Sequence, residues 1–253
     1  MGRYDLEGKR ALVTGGGSGI GLATARLYLQ NGARVAIWGR NPDKLASAVA
    51  ELSDLGEVTS APVDVSDGEQ VAAAARALLD DWGGLDILFN CAGHSVAFGP
   101  FTTLDPGVWR QAIAINLDSV YHTCQAFLPG MLEQGWGRIV NTTSQAAKDG
   151  SPLMAPYVAA KSGVIGLTKS LGRELATSGV LINAVCPTVF ETPLSDEMSG
   201  RTPGAMEAAV KMIPMQRKGR PEEAAELVAW LSSPACSYNA GAVFDLSGGR
   251  AVY

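Results

Sequence analysis

The stretch RALVTGGGSGIGLATARLYLQ, Arg10 to Gln30, runs from a short apolar segment through a glycine-rich turn into a helix-length pattern. RALVT has strand character, and residues 20–31 read as a helix rich in Ala and Leu. Between them, Gly15, Gly19 and Gly21 space the turn as GxxxGxG within TGGGSGIG, Thr14 to Gly21. Such a turn lets backbone approach a ligand closely, and the helix N-terminus offers N–H groups to an anion such as a pyrophosphate. The segment therefore predicts a first strand, its crossover helix and one wall of a binding site.

The same alternation continues outward along the chain. Strand-like runs follow at ARVAIW, EVTSAPV, LDILFN, GRIVNTT, VLINAV and AVFDLS, and helical patterns fill 42–53, 67–82, 108–134, 156–177 and 221–232. This order predicts an α/β protein with a doubly wound parallel sheet covered by helices on both faces. No repeat or linker interrupts it, so residues 1–253 are expected to form a single domain. Local punctuation agrees: Asn41 caps a helix that starts at Pro42, Ser66 and Glu69 suggest a capping box, and Pro221 opens the last long helix. The stretch from about 190 to 220 is different, with Pro193, Pro203, Pro214 and a weak helical pattern, and is expected to be a mobile segment covering a site.

The chain has 253 residues, 47% hydrophobic and 18% charged, the composition of a globular protein with a sizeable core. A net charge of −5 gives no basic excess for neutralising nucleic-acid phosphates. No apolar run is long enough to span a membrane and the start has no secretory pattern, so a cytoplasmic, soluble protein is the expectation. Four widely spaced cysteines read as reduced thiols, and two isolated histidines, His94 and His122, give no metal-ligand pattern.

Further motifs carry chemistry. In YVAAK, Tyr157 and Lys161 are four apart and share one helix face. A phenol near pKa 10 must fall by roughly 2 to 3 units to exchange protons near neutrality. A cation about 4 Å away is worth roughly 4 kcal/mol at an effective dielectric of 20, enough for that shift. TGGGSGIG, the NCAG of Asn90 to Gly93, Asn116 in AINL, Ser144 at a strand end, and Tyr157 with Lys161 occur in this order. On these motifs, over essentially its whole length, the chain resembles the short-chain dehydrogenase/reductase family.

That resemblance implies a Rossmann-type fold and an NAD(P)-dependent oxidoreductase that interconverts a secondary alcohol and a ketone. It implies Tyr157 as acid/base, Ser144 steadying the carbonyl oxygen, Lys161 lowering the Tyr157 pKa and holding the nicotinamide ribose, and Asn116 positioning a water. It also implies cofactor contacts from Gly15, Gly17, Ser18, Gly19, Ile20, Gly21, Asp64, Val65, Asn90, Ala92, Gly93, Pro187, Phe190 and Thr192. Thr188 stands where the family usually has glycine. At the end of the second strand, Gly39 and Arg40 take the place of the carboxylate that would select NAD, and Arg40 favours NADP, with NAD as the alternative.

Candidate substrate contacts are His94, Ser95, Ser144, Gln145, Tyr157 and Val189, with Met198 or Met212 from the covering segment. The C-terminal runs are similar to bacterial dehydrogenases of sugar acids in carbohydrate breakdown, for which Lys148, Arg201 and Arg217 are candidate carboxylate partners. A 3-oxoacyl-thioester reductase and a non-catalytic dinucleotide sensor are the alternatives. The resemblance further implies a homotetramer, with GGRAVY lying against a neighbouring subunit or fraying free.

Overall fold

The computed structural model describes residues 4–95, 98–201 and 204–251, without the side chains of Met198, Arg201 and Ala205. Among these residues seven parallel strands form one sheet in the order β3-β2-β1-β4-β5-β6-β7. They are β1 Arg10–Thr14, β2 Arg34–Gly39, β3 Val58–Pro62, β4 Ile87–Asn90, β5 Gly137–Thr142, β6 Val180–Pro187 and β7 Val243–Leu246. The central strands β4, β5 and β6 are buried along their whole length, as strands covered on both faces must be, whereas edge strand β3 is largely exposed.

Among the described residues ten α-helices surround them: α1 Gly19–Gln30, α2 Pro42–Leu52, α3 Gly68–Trp82, α4 Pro106–Ile113, α5 Ser119–Gln134, α6 Gln145–Asp149, α7 Ala155–Glu174, α8 Pro193–Arg201, α9 Ala205–Lys211 and α10 Pro221–Ser232. One core packs α1, α2 and α10 on one face of the sheet around Tyr28, Ile37, Phe89 and Val228. The other packs α3, α5 and α7 on the opposite face around Trp38, Leu88, Phe127 and Val164. Burying each of these large side chains contributes about 1.5–3 kcal/mol, so packing on both faces holds the sheet between its helices. No helix among the described residues is long and apolar enough to cross a membrane.

The expected caps are found with one shift. Asn41 accepts from the Lys44 amide at 3.0 Å, and the Glu223 carboxylate accepts from the Arg220 amide at 2.8 Å. For α3 the cap is Asp67 and not Ser66, because a carboxylate one residue later reaches both the Glu69 and Gln70 amides at 2.9 and 3.1 Å. The long helix expected over 108–134 is split by a π-helical turn, Ala114–Asp118, at which Asn116 becomes fully buried.

Strand order reverses between β1 and β4, so their carboxyl ends diverge and open a crevice. Thr14 ties the two ends together: its hydroxyl accepts from the amides of Cys91 and Ala92, each at 3.1 Å. The glycine turn after β1 and the NCAG segment after β4 thus form the two lips of one groove.

Candidate active site

Two neighbouring cavities, of about 360 and 160 Å³, lie in this groove and share Gly15, Ala92 and Gly93. The floor of the larger one is made by backbone. Gly15 has φ of +70°, and a Cβ there would lie 3.0 Å from Ala92 Cα. A Cβ on Gly21 would lie 2.4 Å from the Gly15 carbonyl oxygen, so α1 starts directly against the turn. On Gly19 a Cβ would meet Thr192 Cγ2 at 3.0 Å, and on Gly93 it would meet Lys161 Nζ at 3.2 Å. These are the close approaches that an extended dinucleotide bound along the main chain requires, and the residues fit that group.

The catalytic candidates converge on the larger cavity. Ser144 follows β5, caps α6 and accepts from the Ala146 amide at 3.2 Å. Tyr157, in the first turn of α7, is hydrogen-bonded to Ser144. Lys161, one turn on and only 3% exposed, donates to the Thr142 carbonyl oxygen at 2.9 Å. Its own backbone is clamped by the Thr143 hydroxyl, which donates to Lys161 O at 2.8 Å. Strand β5 and helix α7 are thereby fastened at the point where the three side chains meet.

The expected lowering of the Tyr157 pKa by Lys161 together with an oxidised nicotinamide concerns the loaded site; the protein alone behaves differently. Burial pushes the Tyr157 phenol up, with the hydrogen bond from Ser144 opposing it. Burial also pushes Lys161 down to about 8, opposed by nearby Cys91. The ammonium lies 6.0 Å from the Tyr157 ring centre and is held by Thr142, so in the protein alone desolvation outweighs its attraction for a phenolate. Burial thus favours the neutral phenol.

Asn116 also ties the site together structurally. Its amide nitrogen donates to His94 O at 2.9 Å and to Ala112 O at 3.0 Å, and its oxygen accepts from His94 N at 3.0 Å. Both side-chain N–H groups of this asparagine and one lone pair of its oxygen are engaged in pinning the loop after β4.

Of the expected cofactor contacts, Gly15, Ser18, Gly19, Ile20, Gly21, Ala92, Gly93, Pro187, Phe190 and Thr192 line the larger cavity with Tyr157 and Lys161. Arg40, Asp64 and Val65 line the smaller one. Gly17 and Asn90 are on neither lining. Gly17 faces Lys44 and Leu45 of α2. Asn90 is buried, donates to Asn141 Oδ1 at 2.9 Å and accepts from the Thr123 hydroxyl at 2.7 Å, so it links β4 to β5 and α5 instead. Thr188 has no left-handed φ, so threonine is accommodated there without strain.

The substrate candidates separate in the same way. Ser95, Gln145 and Val189 line the larger cavity, and the buried Ser95 hydroxyl has no partner among the described residues. His94 lines the smaller cavity and faces Glu197 of α8 at 3.3 Å. Arg217 is held bidentate by Glu223 at 2.8 and 2.7 Å, Met212 is 57% exposed, and neither these nor Lys148 lines the cavity. Met198 and Arg201 have side chains outside the described residues. From the covering segment, Phe190, Leu194 and Met206 supply the apolar roof. One residue that the motif reading passed over is on the lining, Arg250, because nothing in the pattern of a C-terminal GGR indicates where it turns.

Residues 15–251 match the family model described as enoyl-(acyl carrier protein) reductase. The chain is 41% identical over 252 residues to a 2-dehydro-3-deoxy-L-rhamnonate dehydrogenase (NAD(+)) of Sphingomonas sp. (strain SKA58), covering 100% of this chain and 98% of that protein. It is 36% identical to the 3-oxoacyl-[acyl-carrier-protein] reductase FabG of Thermotoga maritima, over 98% of this chain and 99% of that one. Its fold superposes on a crystal structure of an actinorhodin polyketide ketoreductase with NADPH at a TM-score of 0.93, with 34% identity and full coverage of both chains.

Proposed function

Because this chain belongs to the short-chain dehydrogenase/reductase family, we propose that it interconverts the secondary alcohol and ketone of a small hydroxylated acid, with NADP as hydride partner. It is an oxidoreductase that uses a nicotinamide dinucleotide. The observation that carries the reading is the hydrogen-bonded Ser144 and Tyr157 standing over buried Lys161 at one wall of a 360 Å³ cavity. Tyr157 delivers a proton to the carbonyl oxygen or takes it from the alcohol, and Ser144 holds that oxygen as charge develops. Lys161, anchored by Thr142, sits beneath Gly93, where it would meet the nicotinamide ribose. The bound nicotinamide supplies or accepts the hydride.

A hydroxylated acid is supported by the unpartnered Ser95 hydroxyl, the Gln145 amide and the Arg250 cation on the lining, and by the sugar-acid dehydrogenase among the relatives. The test is turnover of a panel of deoxy and hydroxylated sugar acids with NADP+, alongside 3-oxoacyl thioesters with NADPH. Faster reduction of the thioesters would move the assignment to an acyl-chain reductase. With this reading go a single catalytic domain over 1–253 covered by 190–220, a cytoplasmic place in carbohydrate breakdown, and a homotetramer. Partly exposed Trp109, Tyr121 and Leu132 along α4 and α5 support the last.

For the cofactor, exposed Arg40 stands on the rim of the smaller cavity. The carboxylate nearest in the lining, Asp64, is occupied by the Ser66 amide and hydroxyl at 3.0 and 2.6 Å. A 2′-phosphate at that rim would meet the Arg40 guanidinium, while Ser66 holds the Asp64 carboxylate by its Oδ1. Arg40→Ala is expected to weaken NADPH binding roughly 10- to 100-fold with little change for NADH, read by tryptophan fluorescence titration. Tighter NADH than NADPH binding by the unmodified enzyme would reverse the assignment.

A further inference from the structure

Arg250 brings a cation to the substrate end of the cavity, and we propose that it binds the substrate carboxylate and so selects acids over neutral ketones. This rests on the hydroxy-acid reading above and names the group in that site that recognises the acid.

The C-terminal turn is built to aim this side chain. After β7 the chain reverses through Gly248 and Gly249, with φ of +62° and +91°, a conformation that glycine adopts without strain. The turn is wedged against the segment after α9: a Cβ on Gly248 would lie 2.7 Å from Ile213 Cγ2, and the Gly248 carbonyl accepts from the Met215 amide at 3.2 Å. Buried Ser247 secures it from below, its hydroxyl accepting from the Ala251 amide and donating to Asp245, each at 2.8 Å. Arg250 is thus directed back into its own chain's cavity, with its side chain only 17% exposed.

Its surroundings leave it able to take an anion. Asp149 at the end of α6 binds Arg250 Nη2 at 2.7 Å and, through its other oxygen, accepts from the Gln145 amide at 2.7 Å. One carboxylate therefore orients both polar groups at this end of the cavity. A guanidinium has five N–H donors, and a contact through one nitrogen leaves others for a second, bidentate carboxylate. The other cation on the lining among the described residues is Lys161, which is bound to Thr142 and belongs with the tyrosine. The cavity wall is otherwise largely apolar, so a substrate carboxylate has Arg250 as its charge partner.

The test compares an accepted sugar acid with its methyl ester, the same carbon skeleton without the charge. In Arg250→Ala the acid-to-ester ratio of kcat/KM is expected to fall roughly 10- to 100-fold, chiefly through the KM of the acid. Arg250→Lys, which keeps the charge but not the fork, is expected to lose less of that ratio. A ratio unchanged in both variants, or acid and ester impaired equally, overturns the assignment of Arg250 while leaving the hydroxy-acid reading standing. Wild-type enzyme that reduces neutral ketones and turns over no acid removes both.

Discussion

Replacing Tyr157 by Phe is expected to lower kcat by about 10²- to 10⁴-fold, the range that a positioned acid/base supplies, while cofactor affinity stays near that of the unmodified enzyme. The ring remains in the α7 face and only the hydroxyl is lost, so Ser144 loses its hydrogen-bond partner but the glycine-lined groove is untouched. Steady-state rates together with fluorescence titration of NADPH separate the two effects. Equal losses in turnover and cofactor binding would mean that Tyr157 shapes the groove and does not move a proton. The ligand-free tyrosine is held protonated by burial, which suits the reductive direction. In the oxidative direction the phenol must first be brought down, and the cationic nicotinamide is the group in the family's reaction with the charge to do so.

The second large effect concerns Lys161. Its folded pKa of about 8 lies below the ordinary 10.5, a difference equivalent to roughly 3 kcal/mol of unfavourable burial at neutral pH. Between about pH 8 and 10.5 the unfolded chain holds more protons than the folded one, so the contribution of this group to stability rises with pH across that window. Lys161→Met removes the penalty but leaves the Thr142 carbonyl without its donor, which costs about 1 kcal/mol or somewhat more. The variant is expected to be more stable by roughly 2 kcal/mol at pH 7, to lose its advantage towards pH 10.5, and to be inactive. Denaturant unfolding of the ligand-free protein at several pH values reads this directly. A variant less stable than wild type at pH 7 would mean that the buried ammonium is structural cement. Greater stability with lost activity marks a charge kept for catalysis.

Most of the architecture was legible because hydrophobic period and glycine spacing are local signals. The turn from Thr14 to Gly21, the strand run LDILFN and the YVAAK pair each carry their placement in a few neighbouring residues. What was not legible depends on contacts between distant segments. The Ala and Leu pattern over 108–134 does not show the π turn at Ala114–Asp118, from which Asn116 bonds across to His94. Asn90 reads as a groove residue from the NCAG motif, yet the pairing of β4 with β5 turns its side chain towards Asn141 and Thr123. Arg217 and Arg250 look alike as basic residues near a flexible-looking stretch. Glu223 one turn into α10 occupies the first, and the two left-handed glycines carry the second into the site. Charge in the sequence marks a candidate; where the fold carries it, and how many of its donors a partner such as Asp149 takes, decides whether it is available.

The most direct test of the account is single-turnover oxidation of a hydroxy acid deuterated at its carbinol carbon, with NADP+ and wild-type enzyme. The account predicts deuterium transferred to the nicotinamide, a slower rate than with the protiated acid, and no transfer in Tyr157→Phe on the same timescale. Cofactor that binds but never acquires the label, across acids, polyols and ketones presented in the reverse direction, would contradict it.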